Sequence, residues 1–295
     1  MANSFDLILR GGTIVNHDGV WEGDIGIRDG RIAQLGTTPN ASAHDIFDAH
    51  GLHILPGVID THVHFREPGA EYKEDMDTGS RAAVMGGVTA VFEMPNTAPP
   101  TTTAEAVTDK VARAKSRMFC DFAFYVGATG NNIDELATLE TLEGVASIKV
   151  FLGSSTGTLL VEDPAKLREL LTKTRRRLSF HAEDEARLRA RLNHRIEGDV
   201  TSHSVWRDTE AAYNATKTLL QLARETGTLV HVLHVSTAEE IELLTAARDI
   251  ATAEVTPNHL TLEASEAYAH LGTKAQMNPP LRDKQHMAAL WEGLR

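Results

Sequence analysis

Apolar positions along the chain follow two regimes that meet near residue 55. Before it, "FDLILRGGTIV", "DIGIRDGRIAQLG" and "HDIFDAHGLHILPG" alternate apolar and polar residues over short stretches broken by Gly-Gly, Asp-Gly and Pro-Gly. Period-two alternation puts apolar side chains on one face of a strand, and those dipeptides turn the chain. Residues 1–54 therefore read as hairpins of a small sheet, part of a β-sandwich subdomain. After residue 55 a different unit repeats: a short apolar run, a polar loop, then a helical pattern. The strand runs are "GVIDTHVHF", "VTAVFEMPN", "DFAFYVGA", "SIKVFLG", "LSFHAED", "LVHVLHVS" and "ATAEVTPNHL". Helical spacing between them covers 77–86, 103–117, 163–176, 208–226 and 237–247, and Met287, Leu290, Trp291 and Leu294 repeat it near the end. Strands alternating with helices imply an α/β domain with a parallel sheet. This many units over 55–295 favour a (β/α)₈ TIM barrel over an open doubly wound sheet. No GxGxxG follows the first strand, which weakens the open-sheet alternative.

Composition narrows the function classes. In 295 residues, 42% are hydrophobic and 24% charged, which suits a globular protein and excludes disorder as the default. The formal net charge of -12 argues against nucleic acid or an anionic membrane as partner. The run Arg175-Arg176-Arg177 is the main basic exception and reads as a solvated helix end, with an anion site as the lesser alternative. Cys120 is alone, so no intrachain disulfide forms. No signal peptide or long apolar span opens the chain, and the expectation is a cytoplasmic enzyme or binding protein.

Chemistry gathers where the barrel predicts an active site. His62 and His64 lie two apart on the first strand, hence on one face, and the C-terminal ends of barrel strands form the catalytic floor. Alone, the pair is compatible with a metal site or with a hydrogen-bonded polar loop. Lys149 interrupts the apolar run "SIKVFLG", where a bare ammonium is costly to bury. It is neutralised either by a salt bridge at the strand start or by a lowered pKa and reaction with carbon dioxide, giving a carbamate that bridges two cations. His181 ends "LSFHAED" at the same level. His231 and His234 are three apart, so alternation turns only one inward. A capping-box pattern at Ser236 and Glu239 puts His234 at the rim, leaving His231 structural.

"HILPGVIDTHVHFREPG", "AAVMGGVTAVFEMPNT", "IKVFLGSSTG", "FHAEDE", "HVLHVSTAEE", "EVTPNHL" and "MNPPLR" together resemble the cyclic amidohydrolases of the amidohydrolase superfamily, most closely the dihydroorotases. The resemblance covers the chain from residue 5 onward. It implies two Zn²⁺ per subunit, with His62 and His64 on one, His181 and His234 on the other, and N6-carboxylysine at Lys149 bridging them. It further implies that Arg66 and Asn96 hold a substrate carboxylate, that Asn278 holds the ring, and that His64 also faces substrate. Alone, Asn96 and Asn278 read as turn caps beside Pro95 and Pro279.

The implied reaction is reversible ring opening of dihydroorotate to N-carbamoyl-L-aspartate in pyrimidine biosynthesis, by a homo-oligomer acting on a small molecule. Arg66 lies two residues past His64, on the same face, where its fork suits the ring carboxylate. Related allantoinases and hydantoinases usually lack that arginine. They remain alternatives, as does a non-catalytic structural subunit of the same family. The resemblance also implies a proton-carrying aspartate at the end of an eighth strand, and sandwich strands from a C-terminal segment. Residues 1–295 hold none of these, so no catalytic acid is assigned. Glu183, Asp184 and His259 are the substitutes to consider.

Overall fold

The short alternating runs at the N-terminus form one five-stranded sheet: β1 (Ser4–Asn16), β2 (Gly19–Arg28), β3 (Arg31–Gly36), β4 (Ser42–Asp48) and β5 (His53–Ile54). The computed structural model describes residues 4–155 and 159–295. Strands β1 to β3 form hairpins at the two Asp-Gly dipeptides, whereas Gly11-Gly12 does not turn the chain but lies inside β1 at a register shift of the β1–β2 ladder. Asp29 and Gly30 both take positive φ, 52° and 68°, the conformation that a two-residue hairpin loop requires and that Asp-Gly supplies. Strands β4 and β5 depart from the hairpin reading, because both pair with β1 in parallel. The break before β4, Thr37-Thr38-Pro39-Asn40, is a loop instead of a tight turn, and it carries the chain across to the free edge of β1. Asp24 anchors that loop by accepting from the Thr38 amide (2.9 Å) and hydroxyl (2.6 Å).

The chain divides into two compact units, Met1–Val58 and Ile59–Arg295. All seven apolar runs of the second regime form strands: β6 (Val58–Val63), β7 (Val88–Glu93), β8 (Asp121–Gly127), β9 (Val145–Phe151), β10 (Leu178–His181), β11 (Val230–Val232) and β12 (Ala251–Ala253). They lie side by side in chain order as one curled sheet, and β7 to β12 pair in parallel. The connections carry α1 (Met76–Met85), α2 (Ala104–Ala114), α3 (Ile133–Leu139), α4 (Pro164–Lys173), α5 (Glu185–Ala190), α6 (Ser202–Trp206), α7 (Thr209–Thr226) and α8 (Ala238–Thr245). Beyond β12 come α9 (Pro257–Thr261), α10 (Ala264–Leu271) and α11 (Lys284–Gly293). This is the (β/α)-barrel class that the alternation predicts, with seven strands in place.

Local chemistry starts these helices where the sequence calls for them. Asp75, Thr103, Asp163 and Asp208 each accept a backbone N–H of the first turn of α1, α2, α4 and α7, offsetting orphan donors that otherwise lose about 1 kcal/mol each. At α8 the cap is Thr237 with Glu240, one residue later than the pattern read from Ser236 and Glu239. Between sheet and helices Val126, Val150, Phe180, Val230 and Val232 pack against Val107, Leu136, Leu170, Leu219 and Leu244 in a continuous core. The apolar strand residues therefore face the helices, and the alternate positions face the barrel interior.

The arginine run follows the C-terminus of α4, with Arg175 and Arg176 exposed as a solvated helix end requires, and it also ties down strand starts. Arg176 donates to the carbonyls of Val145 (2.6 Å) and Ala146, and Arg177 to that of Val230 (2.9 Å), closing the starts of β9 and β11. Glu140 accepts from the amides of Arg175 and Arg176 at the same end. Among the described residues no helix is long and apolar enough to cross a membrane.

Candidate active site

At the C-terminal strand ends a cavity of about 850 Å³ is lined by His62, His64, Arg66, Asn96, Lys149, His181, His234 and Asn278. These are all the positions that the sequence singles out for metal or substrate. His62 reaches it from β6, Lys149 from the interior face of β9, and His181 as the last residue of β10. Thr156 and Gly157, the end of the motif after Lys149, lie outside the described residues.

His234 reaches the cavity by breaking strict alternation. Its φ of 40° is left-handed backbone, which turns the chain just beyond β11. His231 and His234 consequently both reach Glu254, the former by Nε2 (3.3 Å) and the latter by its backbone N–H (3.3 Å), instead of facing opposite sides. Only the His234 side chain lines the cavity.

The imidazoles crowd one another. His62 Nε2 lies 3.3 Å from His64 Nε2, and His181 Nδ1 lies 3.0 Å from His234 Nε2. The His62 and His234 rings are 5.3 Å apart between centroids, joining the two pairs. Burial lowers the pKa of all four, His181 to about 4 and His64 and His234 well below the ordinary histidine value, so the rings are neutral at pH 7. Burial also pushes the Lys149 ammonium down to about 7, opposed only by Glu254. Lys149 is 1% exposed, and among the described residues no side chain offers its Nζ a hydrogen bond or ion pair, which removes the salt-bridge alternative.

These donors fit a pair of cations. His234 Nδ1 is buried without a hydrogen-bond partner among the described residues, an arrangement that costs stability unless something else takes the lone pair, and His181 Nε2 stands 2.8 Å from Glu183 Oε2, which leaves Nδ1 as its inward atom. Neutral imidazoles and an uncharged amine are the forms that ligate metal or accept carbon dioxide. No three His, Cys, Asp or Glu side chains form a closed coordination set among the described residues. The Lys149 charge adds to burial in lowering the proton affinity of all four rings, which places the lysine close to both histidine pairs.

Around the donors sits a frame that the sequence did not reveal. Glu183, fully buried beside His181, is paired at both oxygens by Arg207, whose Nε stands 3.1 Å from Oε1 and which also donates to the Ser154 carbonyl (2.8 Å). Burial would raise the Glu183 carboxyl, yet Arg207 and His181 bring it down to about 2. Arg282, from the "NPPLR" motif, donates to the Arg207 carbonyl (2.6 Å) and holds it from behind. His203 Nε2 lies 3.0 Å from Asn278 Oδ1, while Asn278 Nδ2 donates to Ser155 Oγ (3.2 Å), which fixes the amide in the cavity wall. Glu254, the acid that follows β12, contacts His62. The signal for Arg207 and Glu254 was only that charged residues stand beside apolar strands and helix starts.

Arg66 takes φ 61°, left-handed backbone that costs about 1 kcal/mol or more and must be enforced by its surroundings. Glu67 next to it is buried and accepts from Arg117 (2.7 Å) and the Met76 amide (3.1 Å), pinning the turn. Burial lowers the Arg66 pKa and Glu93 opposes this, so the guanidinium stays charged at the cavity wall. The three substitute proton carriers are placed otherwise. Glu183 is ion-paired, Asp184 caps α5, and His259 is tied to the Pro279 carbonyl (3.2 Å) and to Thr256; none lines the cavity.

A polar cavity at the strand ends of a curled parallel sheet defines a barrel-enzyme site. Residues 53–275 match the Amidohydrolase family, and residues 1–56 match the urease alpha-subunit N-terminal domain. The chain belongs to the amidohydrolase family. It is 34% identical to a dihydroorotase of Methanosarcina mazei and 35% identical to an allantoinase of Rubrobacter xylanophilus, covering 98% of this chain and 66% of each relative. An L-hydantoinase (dihydropyrimidinase) from Arthrobacter aurescens superposes with a TM-score of 0.91 at 28% identity, over 98% of this chain and 66% of that one. The chain thus spans slightly less than two thirds of these relatives.

Proposed function

We propose that the protein is a zinc-dependent dihydroorotase, opening the dihydroorotate ring reversibly to N-carbamoyl-L-aspartate in the cytoplasm, as a homo-oligomer on the route to pyrimidines. The observation that carries this reading is Arg66, charged and half-buried, in the same cavity wall as the histidine and lysine donors. A ring carboxylate would meet its guanidinium fork, with Asn96 and His64 alongside. Asn278, its amide fixed by His203 and Ser155, would hold the ring.

Lys149, held near pKa 7, is substantially free amine at neutral pH and would add to carbon dioxide. One N–C bond forms and one proton leaves, producing a carbamate anion. His62 and His64 would hold one cation and His181 and His234 the other, with the carbamate between them. All-nitrogen and oxygen donors of this kind suit zinc. Such a pair of cations, when bound, supplies water activation at neutral pH and polarisation of the ring carbonyl. The role of these residues is to stay neutral, to exclude water and to fix the ring against the metals. Glu183 and Glu254 are occupied by cationic or N–H partners, so neither is assigned the proton transfer.

A second reading, allantoinase or hydantoinase, is supported by the allantoinase and hydantoinase likenesses. A non-catalytic subunit is a further alternative, against which stands the gathering of His62, His64, Lys149, His181 and His234 in one cavity. Comparing kcat/KM of the complete zinc-loaded protein on dihydroorotate, allantoin and dihydrouracil tests the proposal. Preference for dihydroorotate supports it, and preference for either neutral ring replaces it.

A further inference from the structure

Glu254 accepts hydrogen bonds from four donors at once. His62 Nδ1–H reaches Oε1 at 2.5 Å and the His234 amide reaches it at 3.3 Å, while the Thr61 hydroxyl (3.2 Å) and His231 Nε2–H (3.3 Å) reach Oε2. A carboxylate has about four lone-pair directions, so this one is saturated and acts only as an acceptor. The hydrogen-bond polarity is consistent outward as well. Thr252 Oγ1 lies 2.8 Å from His231 Nδ1, and a proton given by that hydroxyl leaves Nε2–H of His231 to point at Glu254. Along the chain Thr252, His231, Glu254, His62, every bond then has one donor and one acceptor. The last atom, His62 Nε2, keeps a lone pair 3.3 Å from His64 Nε2, beside the cavity.

Glu254 therefore joins three parts of the rim. It follows β12, and its partners come from β6 and from the segment that begins at β11. The two strands at the ends of the sheet order, β6 and β12, meet through this side chain.

We propose that Glu254 is the positioning residue for His62, fixing its Nδ1–H tautomer so that Nε2 is presented as a ligand atom, and that His231 and Thr252 orient Glu254 in turn. This gives His231, outside the cavity lining, a definite part in the site. The metal half of the proposal rests on the two-cation reading above, whereas the tautomer half does not.

Two readouts on the complete protein separate these halves. In metal-free protein, the ¹⁵N spectrum of the His62 ring should show a single Nδ1–H tautomer, and Glu254→Gln should convert it to a mixture while far-ultraviolet circular dichroism stays unchanged. Zinc affinity, measured by competition with a chelator, should fall roughly 10- to 100-fold in Glu254→Gln, the usual range for losing a partner of a metal-ligating histidine. Should Glu254→Gln not fold, His231→Gln gives the same readouts one link further out, with a smaller tautomer shift expected. An unchanged His62 tautomer in whichever variant folds overturns the proposal. Absence of zinc binding by the unmutated protein refutes the two-cation reading instead and leaves the tautomer result to decide the role of Glu254.

Discussion

Lys149 Nζ stands 4.6 Å from the centroid of the Phe151 ring, and no carboxylate pairs with it among the described residues. An aromatic face offsets only part of the desolvation of an ammonium, which is why burial brings this lysine down to about 7. Metal-free complete protein in carbonate-free buffer should therefore take up zinc slowly, and added bicarbonate should speed the uptake. Uptake measured by stopped-flow with a zinc dye and found indifferent to bicarbonate would remove the carbamate from the account.

Specificity should follow Arg66. Arg66→Met is expected to lower kcat/KM on dihydroorotate by about 10²-fold or more, because it leaves the ring carboxylate unpaired, while a neutral ring such as dihydrouracil loses far less. Equal losses on both substrates would favour the allantoinase or hydantoinase reading.

The buried Glu183 and Arg207 pair should dominate stability near the site. Arg207→Met strands a buried carboxylate and is expected to cost about 3–5 kcal/mol in urea unfolding. The pH dependence follows from the folded pKa of about 2 against an ordinary value of 4.5. A depressed carboxylate contributes its full stability above pH 4.5 and loses it as the pH falls toward 2. Glu183→Gln should flatten the acid limb of the unfolding midpoint; a limb that keeps its slope would assign acid sensitivity elsewhere.

Much of this architecture was legible in the sequence, for a physical reason. Parallel barrel strands are covered on both faces and read as continuous apolar runs, so a lysine or histidine at the end of one is conspicuous. Lys149, His181 and the His62 and His64 pair stood out in this way. Glu254 did not, because an acid after a short strand resembles any solvated residue until the sheet curls and brings it to His62, 192 positions away in the chain. The left-handed turn at His234 hid as well, since strict alternation assumes ordinary strand backbone up to that residue. Parallel pairing of β4 was missed because turn dipeptides report local reversals and not which strand edge the chain reaches next.

Gly153 shows how tightly the strand ends are packed. A Cβ at this position would lie 2.5 Å from the Glu183 carbonyl oxygen, a backbone atom that cannot swing aside. Gly153→Ala should destabilise by about 1–3 kcal/mol and weaken zinc binding through displacement of the His181 to Glu183 segment. A neutral effect in thermal unfolding would mean that the segment yields more easily than its packing implies.

The most direct test of the central claim is the zinc content of the complete protein and of its Lys149→Ala variant, by elemental analysis after exhaustive dialysis. The account predicts about two ions per chain in the former and loss of at least one in the latter, because His62, His64, His181 and His234 supply only two donors per ion and Lys149 must supply the bridge. Equal zinc content in the two proteins, or none in either, would contradict it.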